Sequence, residues 1–239
     1  MLGSNIVALA ITFALSLLWL RINDFAAHRG WVSSALSRKI IHMGTGPLFV
    51  LCWLLFNHET PARFLAALVP LAITIQFGLV GAGILKDPAA VEAMSRSGNR
   101  NEILRGPLYY GIVFVLLTVL FWKDSPVGII ALMLLCGGDG LADVVGNRFG
   151  KHRLPWSAKK TWAGSAAMFF GGLLFSGALL AVYLAAGVFR GDPASYIIPS
   201  LVIVAVGTVI ESIPLDDFDN ITVPLAAVAL GLLFFRGAG

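Results

Sequence analysis

The chain has 239 residues, a formal net charge of +4 and a mean hydropathy of +0.85; 58% of it is hydrophobic and only 13% is charged. A soluble domain carries about 25% charged residues, so this composition excludes a water-soluble globular fold. The Lys and Arg residues lie in short stretches between apolar runs and form no continuous basic surface, which removes nucleic acid from the expected partners.

Apolar segments close to the ~20 residues that cross a ~30 Å hydrocarbon core fall at 5–20, 40–56, 63–85, 107–122, 126–145, 162–188, 196–213 and 221–235. The first has no basic stretch ahead of it and reads as a retained transmembrane helix. Arg38, Lys39 and His42 stand where the second enters the membrane. Arg38 and His42, at i and i+4, share a face, with Gly44 and Gly46 just beyond. After the third segment comes the longest polar stretch, 86–105, a loop or interfacial helix that closes on Glu102 and Arg105 before Gly106-Pro107.

The fifth segment is interrupted by Cys136-Gly137-Gly138-Asp139-Gly140, which predicts a broken helix lining a cavity. Asp139 and Asp143, at i and i+4, share one helical face. Ionisable groups inside a spanning helix need partners or a cation, and carboxylates plus substrate phosphates are the usual surroundings of Mg²⁺. Arg148, Lys151, His152, Arg153, Lys159 and Lys160 follow, and Thr161-Trp162-Ala163-Gly164-Ser165 opens the sixth segment. Cations and free backbone N–H groups at a helix start suit a polyphosphate. Glu211 ends the seventh segment, and Asp219 and Asn220 open the eighth. Cys52 and Cys136 both fall in apolar runs, without zinc-ligand spacing, and read as buried thiols.

Eight crossings sort the loops into two sets. Of the 17 Lys and Arg residues, thirteen fall in one set and four (Arg63, Lys123, Arg190, Arg236) in the other. The positive-inside rule then places both termini outside. The same parity puts Glu102, Asp139, Asp143, Glu211, Asp216, Asp217 and Asp219 on the cytoplasmic face. No linker or repeat divides residues 1–239, which form a single all-α polytopic transmembrane bundle of about eight helices, N-out and C-out. There is no P-loop and no protein-kinase signature.

Several stretches together resemble the phytol kinase family, within the CTP-dependent polyprenol kinases that include dolichol kinase. They are Arg38-Lys39-Ile40-Ile41-His42, Glu102 through Gly111 (EILRGPLYYG), Gly138 through Gly150 (GDGLADVVGNRFG), Lys160-Thr161-Trp162-Ala163-Gly164-Ser165, and Glu211-Ser212-Ile213-Pro214 with Asp219 through Pro224 (DNITVP). Asn147 and Thr161 are small departures from the family pattern. The resemblance implies transfer of the terminal phosphoryl of CTP, with Mg²⁺, to a long isoprenoid alcohol: phytol, geranylgeraniol or farnesol.

On that reading Asp139 and Asp143 hold the metal, and Lys160 and Arg148 neutralise phosphate. Arg38, Lys39, His42, Arg105 and Asn220 are further nucleotide or phosphate ligands. Glu211 and Asp219, with Glu102, serve as metal, base or orienting groups. The lipid bilayer is a partner, an oligomer is allowed, and the expected setting is a bacterial inner or thylakoid-type membrane with the site facing the cytoplasm. Two other readings stay open: a CTP-lipid cytidylyltransferase, and an ion or solute transporter, for which acids at a broken helix are also expected.

Overall fold

The computed structural model describes residues 2–95, 97–215 and 218–235; Arg96, Asp216, Asp217 and Arg236 lie outside them. The helices are α1 (Leu2–His28), α2 (Ser34–Cys52), α3 (Thr60–Ala82), α4 (Pro88–Met94), α5 (Gly106–Leu120), α6 (Pro126–Met133), α7 (Asp139–Phe149), α8 (Trp162–Ala185), α9 (Ala194–Glu211) and α10 (Asp219–Phe234). Among the described residues no strand forms, only an isolated bridge between Arg153 and Thr161. Among the described residues, six helical stretches are long and apolar enough to cross a membrane: α1, α3, α5 with the turn before it, α6–α7, α8 and α9. α10 is a shorter apolar helix. The chain is an all-α polytopic bundle, and each of the eight apolar segments falls on a helix.

The helix ends depart from the apolar runs because capping, not hydrophobicity, sets them. α1 continues past Leu20 to His28 and stops at Gly30, where φ is +72°. There the Gly30 and Trp31 N–H groups donate to Ala27 and Ala26 carbonyls, both at 3.0 Å, the closing geometry that a left-handed glycine permits. α2 starts early, with the Ser33 hydroxyl accepting from the Leu36 N–H at 3.2 Å. Arg38 and Lys39 therefore lie inside the first turns of α2, not ahead of it. The polar stretch 86–105 holds α4 and a short 3₁₀ turn at Arg100–Leu104.

The expected break in the fifth segment does not occur. Residues Pro126–Phe149 form one continuous helix, the most buried of the spans, with a π turn at Leu134–Gly138. The two glycines of that turn serve close packing: a Cβ on Gly137 would strike Phe175, and one on Gly138 would meet Met168 Sδ at 2.7 Å. α8 is thereby brought against the central helix without a backbone break.

The bundle is tied at both ends. At one, Arg38 donates to the Ser95 carbonyl at 2.9 Å and Trp156 Nε1 to Ser212 Oγ at 3.2 Å. At the other, Asn5 and Asn57 exchange two 3.0 Å hydrogen bonds and Arg63 pairs with Asp124. There too the Lys123 ammonium donates to the Phe56 and Trp53 carbonyls at 2.5 and 3.3 Å. Burial pushes Lys123 below the usual lysine range, partly offset by Asp124. A buried ammonium is tolerable only with such acceptors.

Candidate active site

Between α1, α2, α3, α4, α5, α7 and the starts of α8 and α10 lies a cleft of about 2100 Å³. Arg38, Lys39, His42, Glu102, Arg105, Asp139, Asp143, Lys160, Glu211, Asp219 and Asn220 all line it. Residues up to 182 positions apart in the chain, from Arg38 to Asn220, thus share one wall system, which no single stretch of sequence displays.

The first ionic group joins α2 to α7. Lys39 pairs with Asp143, which also accepts from Asn147 Nδ2 at 2.6 Å. One turn deeper, His42 Nε2 stands 3.5 Å from Asp139 Oδ2 and 3.1 Å from the Leu135 carbonyl. A carbonyl only accepts, so Nε2 carries a proton. The π turn accounts for this contact: the Asp139 N–H is donated to the Leu134 and Cys136 carbonyls, not to that of Leu135. Beneath His42, the Tyr110 hydroxyl donates to the His42 carbonyl at 3.0 Å and lies 3.1 Å from Cys136 Sγ, with the two rings 4.5 Å apart. This Tyr110–Cys136 support was not singled out by sequence reasoning; its only signal was the position of Tyr110 within the stretch 102–111.

The second group joins the loop after α7 to α9 and α10. Lys160 Nζ lies 2.5 Å from Glu211 Oε1 and 3.2 Å from Asp219 Oδ2. The Glu211 side chain is only 4% exposed. Burial alone would lower the Lys160 ammonium, yet Glu211 and Asp219 hold it above the usual lysine range. Two of its three N–H donors are taken, leaving one for a ligand in the cleft. Asp219 sits in the first turn of α10, where a carboxylate is favoured by the helix dipole. Its Oδ1 accepts from the Asn220 N–H at 3.0 Å.

Not every expected residue takes the role assigned to it. Arg148 is exposed, does not line the cleft, and lies with its guanidinium 5.6 Å from the Phe149 ring centroid. The reason is helical phase: nine residues after Asp139, at ~100° per residue, it points to the opposite face of α7. The expectation that Arg148 neutralises phosphate is therefore withdrawn. Glu102 lines the cleft but accepts from Ser97 N and Oγ at 3.2 and 2.7 Å, so its carboxylate organises the loop after α4. Arg38 likewise spends a donor on Ser95. Arg105 is exposed at the rim.

The donor set fits Mg²⁺ shared with a nucleotide. Asp139 and Asp143 present hard oxygen ligands one turn apart on one helical face of the cleft, and Mg²⁺ is commonly held by one or two carboxylates plus phosphate oxygens. Among the described residues no three His, Cys, Asp or Glu side chains converge into an all-protein cage.

The chain is 42% identical over 238 residues to a probable chloroplastic phytol kinase of Triticum aestivum, covering 98% of this chain and 77% of that protein. The chain belongs to the phytol kinase family. Phytol kinase 1, chloroplastic, of Arabidopsis thaliana is 36% identical over 98% of this chain and 76% of its own length. A probable chloroplastic phytol kinase 1 of Oryza sativa subsp. japonica is 42% identical over 90% and 69%. No protein-family model and no solved structure matches the chain. These phytol kinases are plant proteins named as chloroplastic, which overturns the expectation of a bacterial inner membrane with a cytoplasm-facing site. The positive-inside count reads an asymmetry between two faces and carries no information on which membrane holds them.

Proposed function

We propose that this chain is a phytol kinase that moves the terminal phosphoryl of CTP onto the hydroxyl of phytol at the membrane boundary. The observation that carries the reading is the single cleft in which the family's stretches meet: paired carboxylates on α7, cations from α2 and the loop before α8, and an adjoining apolar wall. Phosphoryl transfer asks the protein chiefly for positioning and charge neutralisation. Lys160, held by Glu211 and Asp219, would present its remaining donor to phosphate. Lys39 and Arg38 would add positive charge from α2. Asp139 and Asp143 would hold Mg²⁺, which when bound neutralises charge on the phosphate oxygens. His42, steadied by Leu135 and Tyr110, would keep Asp139 in place.

Label position tests the reaction. With phytol as acceptor, γ-labelled CTP should give a labelled lipid monophosphate and α-labelled CTP should leave the lipid unlabelled. Label from the α-position in lipid, with pyrophosphate accumulating, would make the protein a cytidylyltransferase instead. No transfer of either label to any alcohol would return the transporter reading.

We also propose eight crossings, with both termini on the face opposite the site. Native Cys52 and Cys136 are buried, so new cysteines report accessibility cleanly. Ser97→Cys and Lys151→Cys, both at exposed positions, should label from one side, and Ala194→Cys, also exposed, only from the other. Labelling of Ser97→Cys and Ala194→Cys from the same side would end the eight-crossing arrangement.

A further inference from the structure

The lining of the cleft is of two chemical kinds. One part carries the ion pairs. The other, an apolar arm, includes Phe13, Leu17 and Leu20 of α1 and Ala72, Ile73 and Phe77 of α3, interrupted by Ser16 and Gln76. Leu17 is 57% exposed and Ala72 is also exposed, although both line the cleft. Residues that face a cavity and the outer surface together mark its rim, and these two lie well inside candidate spans, Gly3–His28 and Thr60–Ala82. The rim at Leu17 and Ala72 thus lies within two candidate spans, where a water-soluble nucleotide has no reason to pass. The lining also includes the buried Phe114, whose ring packs 4.6 Å from Tyr110 and 6.0 Å from Phe49. Tyr110 is the same residue that supports His42, so the apolar lining at Phe114 adjoins the polar part of the cleft.

We infer that this arm seats the isoprenoid tail of the alcohol, loaded sideways from the bilayer between α1 and α3, with the hydroxyl delivered toward His42 and Asp139. The inference rests on the kinase reading and adds the path and the seat of its lipid substrate. Because a tail in lipid is already in an apolar medium, the groove contributes little driving force. It contributes position: the tail's contacts fix where the hydroxyl stands relative to the phosphate, which is what an in-line transfer needs.

The test compares two bulky substitutions on α3. Ala72→Trp narrows the rim, whereas Ile75→Trp adds the same ring at a position that is 52% exposed and does not line the cleft. A bulky ring at the rim leaves less room for the tail, so Ala72→Trp should raise KM for phytol about tenfold. KM for CTP should stay at the wild-type value, and Ile75→Trp should match wild type in both. Leu17→Trp on the opposite wall should repeat the Ala72→Trp result and stands in for it if that variant does not fold. Wild-type KM for phytol in both Ala72→Trp and Leu17→Trp, or an equal rise in Ile75→Trp, would overturn the tail seat. A wild-type protein that phosphorylates no alcohol would instead overturn the kinase reading beneath it, a result distinct from selective loss.

Discussion

Asp139→Asn is expected to lower turnover of phytol by roughly 10²–10³-fold, the size of effect seen when a preorganised charge-stabilising group is removed from a transfer site. The substitution is nearly isosteric and takes away only the charge. His42 Nε2–H keeps its Leu135 acceptor at 3.1 Å, and Tyr110 keeps its hold on the His42 backbone, so the fold around position 139 is retained. The loss should appear in kcat at saturating CTP and Mg²⁺, with a melting temperature in detergent close to wild type. Asp143→Asn should also slow turnover, but there the change leaves Lys39 without its carboxylate partner. Both side chains of that pair are partly exposed, at 24% and 35%, so solvent blunts the cost to stability. An Asp139→Asn protein with wild-type turnover would remove this residue from the chemistry and with it the proposed metal site.

The face shared by Asp139 and Asp143 was legible in the sequence because i, i+4 spacing is a local property of any helix. The same arithmetic, carried five residues further, would have turned Arg148 away from the cleft; adjacency to the acids had suggested otherwise. His42 and Lys39 were legible as a polar patch on an apolar helix, but not as partners of α7, since that pairing depends on how α2 packs against the π turn. The glycines at Gly137 and Gly138 signalled something unusual without saying what. A helix-breaking pair and a close-packing pair look alike in one dimension, and Phe175 and Met168, which distinguish them, lie about 30 residues or more downstream. Cys136 and Tyr110 are 26 residues apart, and each alone reads as an ordinary core residue. The apolar arm was the least visible feature, because its walls have the same composition as lipid-facing helix surfaces and only the packing of α1 against α3 separates the two.

Lys160→Ala is expected to have two effects, and a second substitution separates them. Lys160 is the shared partner of Glu211 and Asp219, and the Glu211 side chain is almost wholly enclosed at 4% exposure. Removing one member of a buried ion pair leaves the other uncompensated, at a typical cost of about 3–5 kcal/mol. Lys160→Ala should therefore melt earlier than wild type as well as bind CTP more weakly. In the double variant Lys160→Ala/Glu211→Gln, the orphaned charge is gone, so most of the lost thermal stability should return. The weak CTP binding should persist, because the donor presented to phosphate is still missing. Melting temperature and nucleotide affinity, measured on the three proteins in the same detergent, read the two effects separately. Wild-type CTP affinity in Lys160→Ala would confine Lys160 to holding α9 against α10. A double variant no more stable than Lys160→Ala would show that the enclosed Glu211 charge is not what destabilises the single one. If affinity returned together with stability, the loss of binding in Lys160→Ala would trace to a disordered α9–α10 corner, and the phosphate contact would have to come from Lys39 and Arg38 across the cleft.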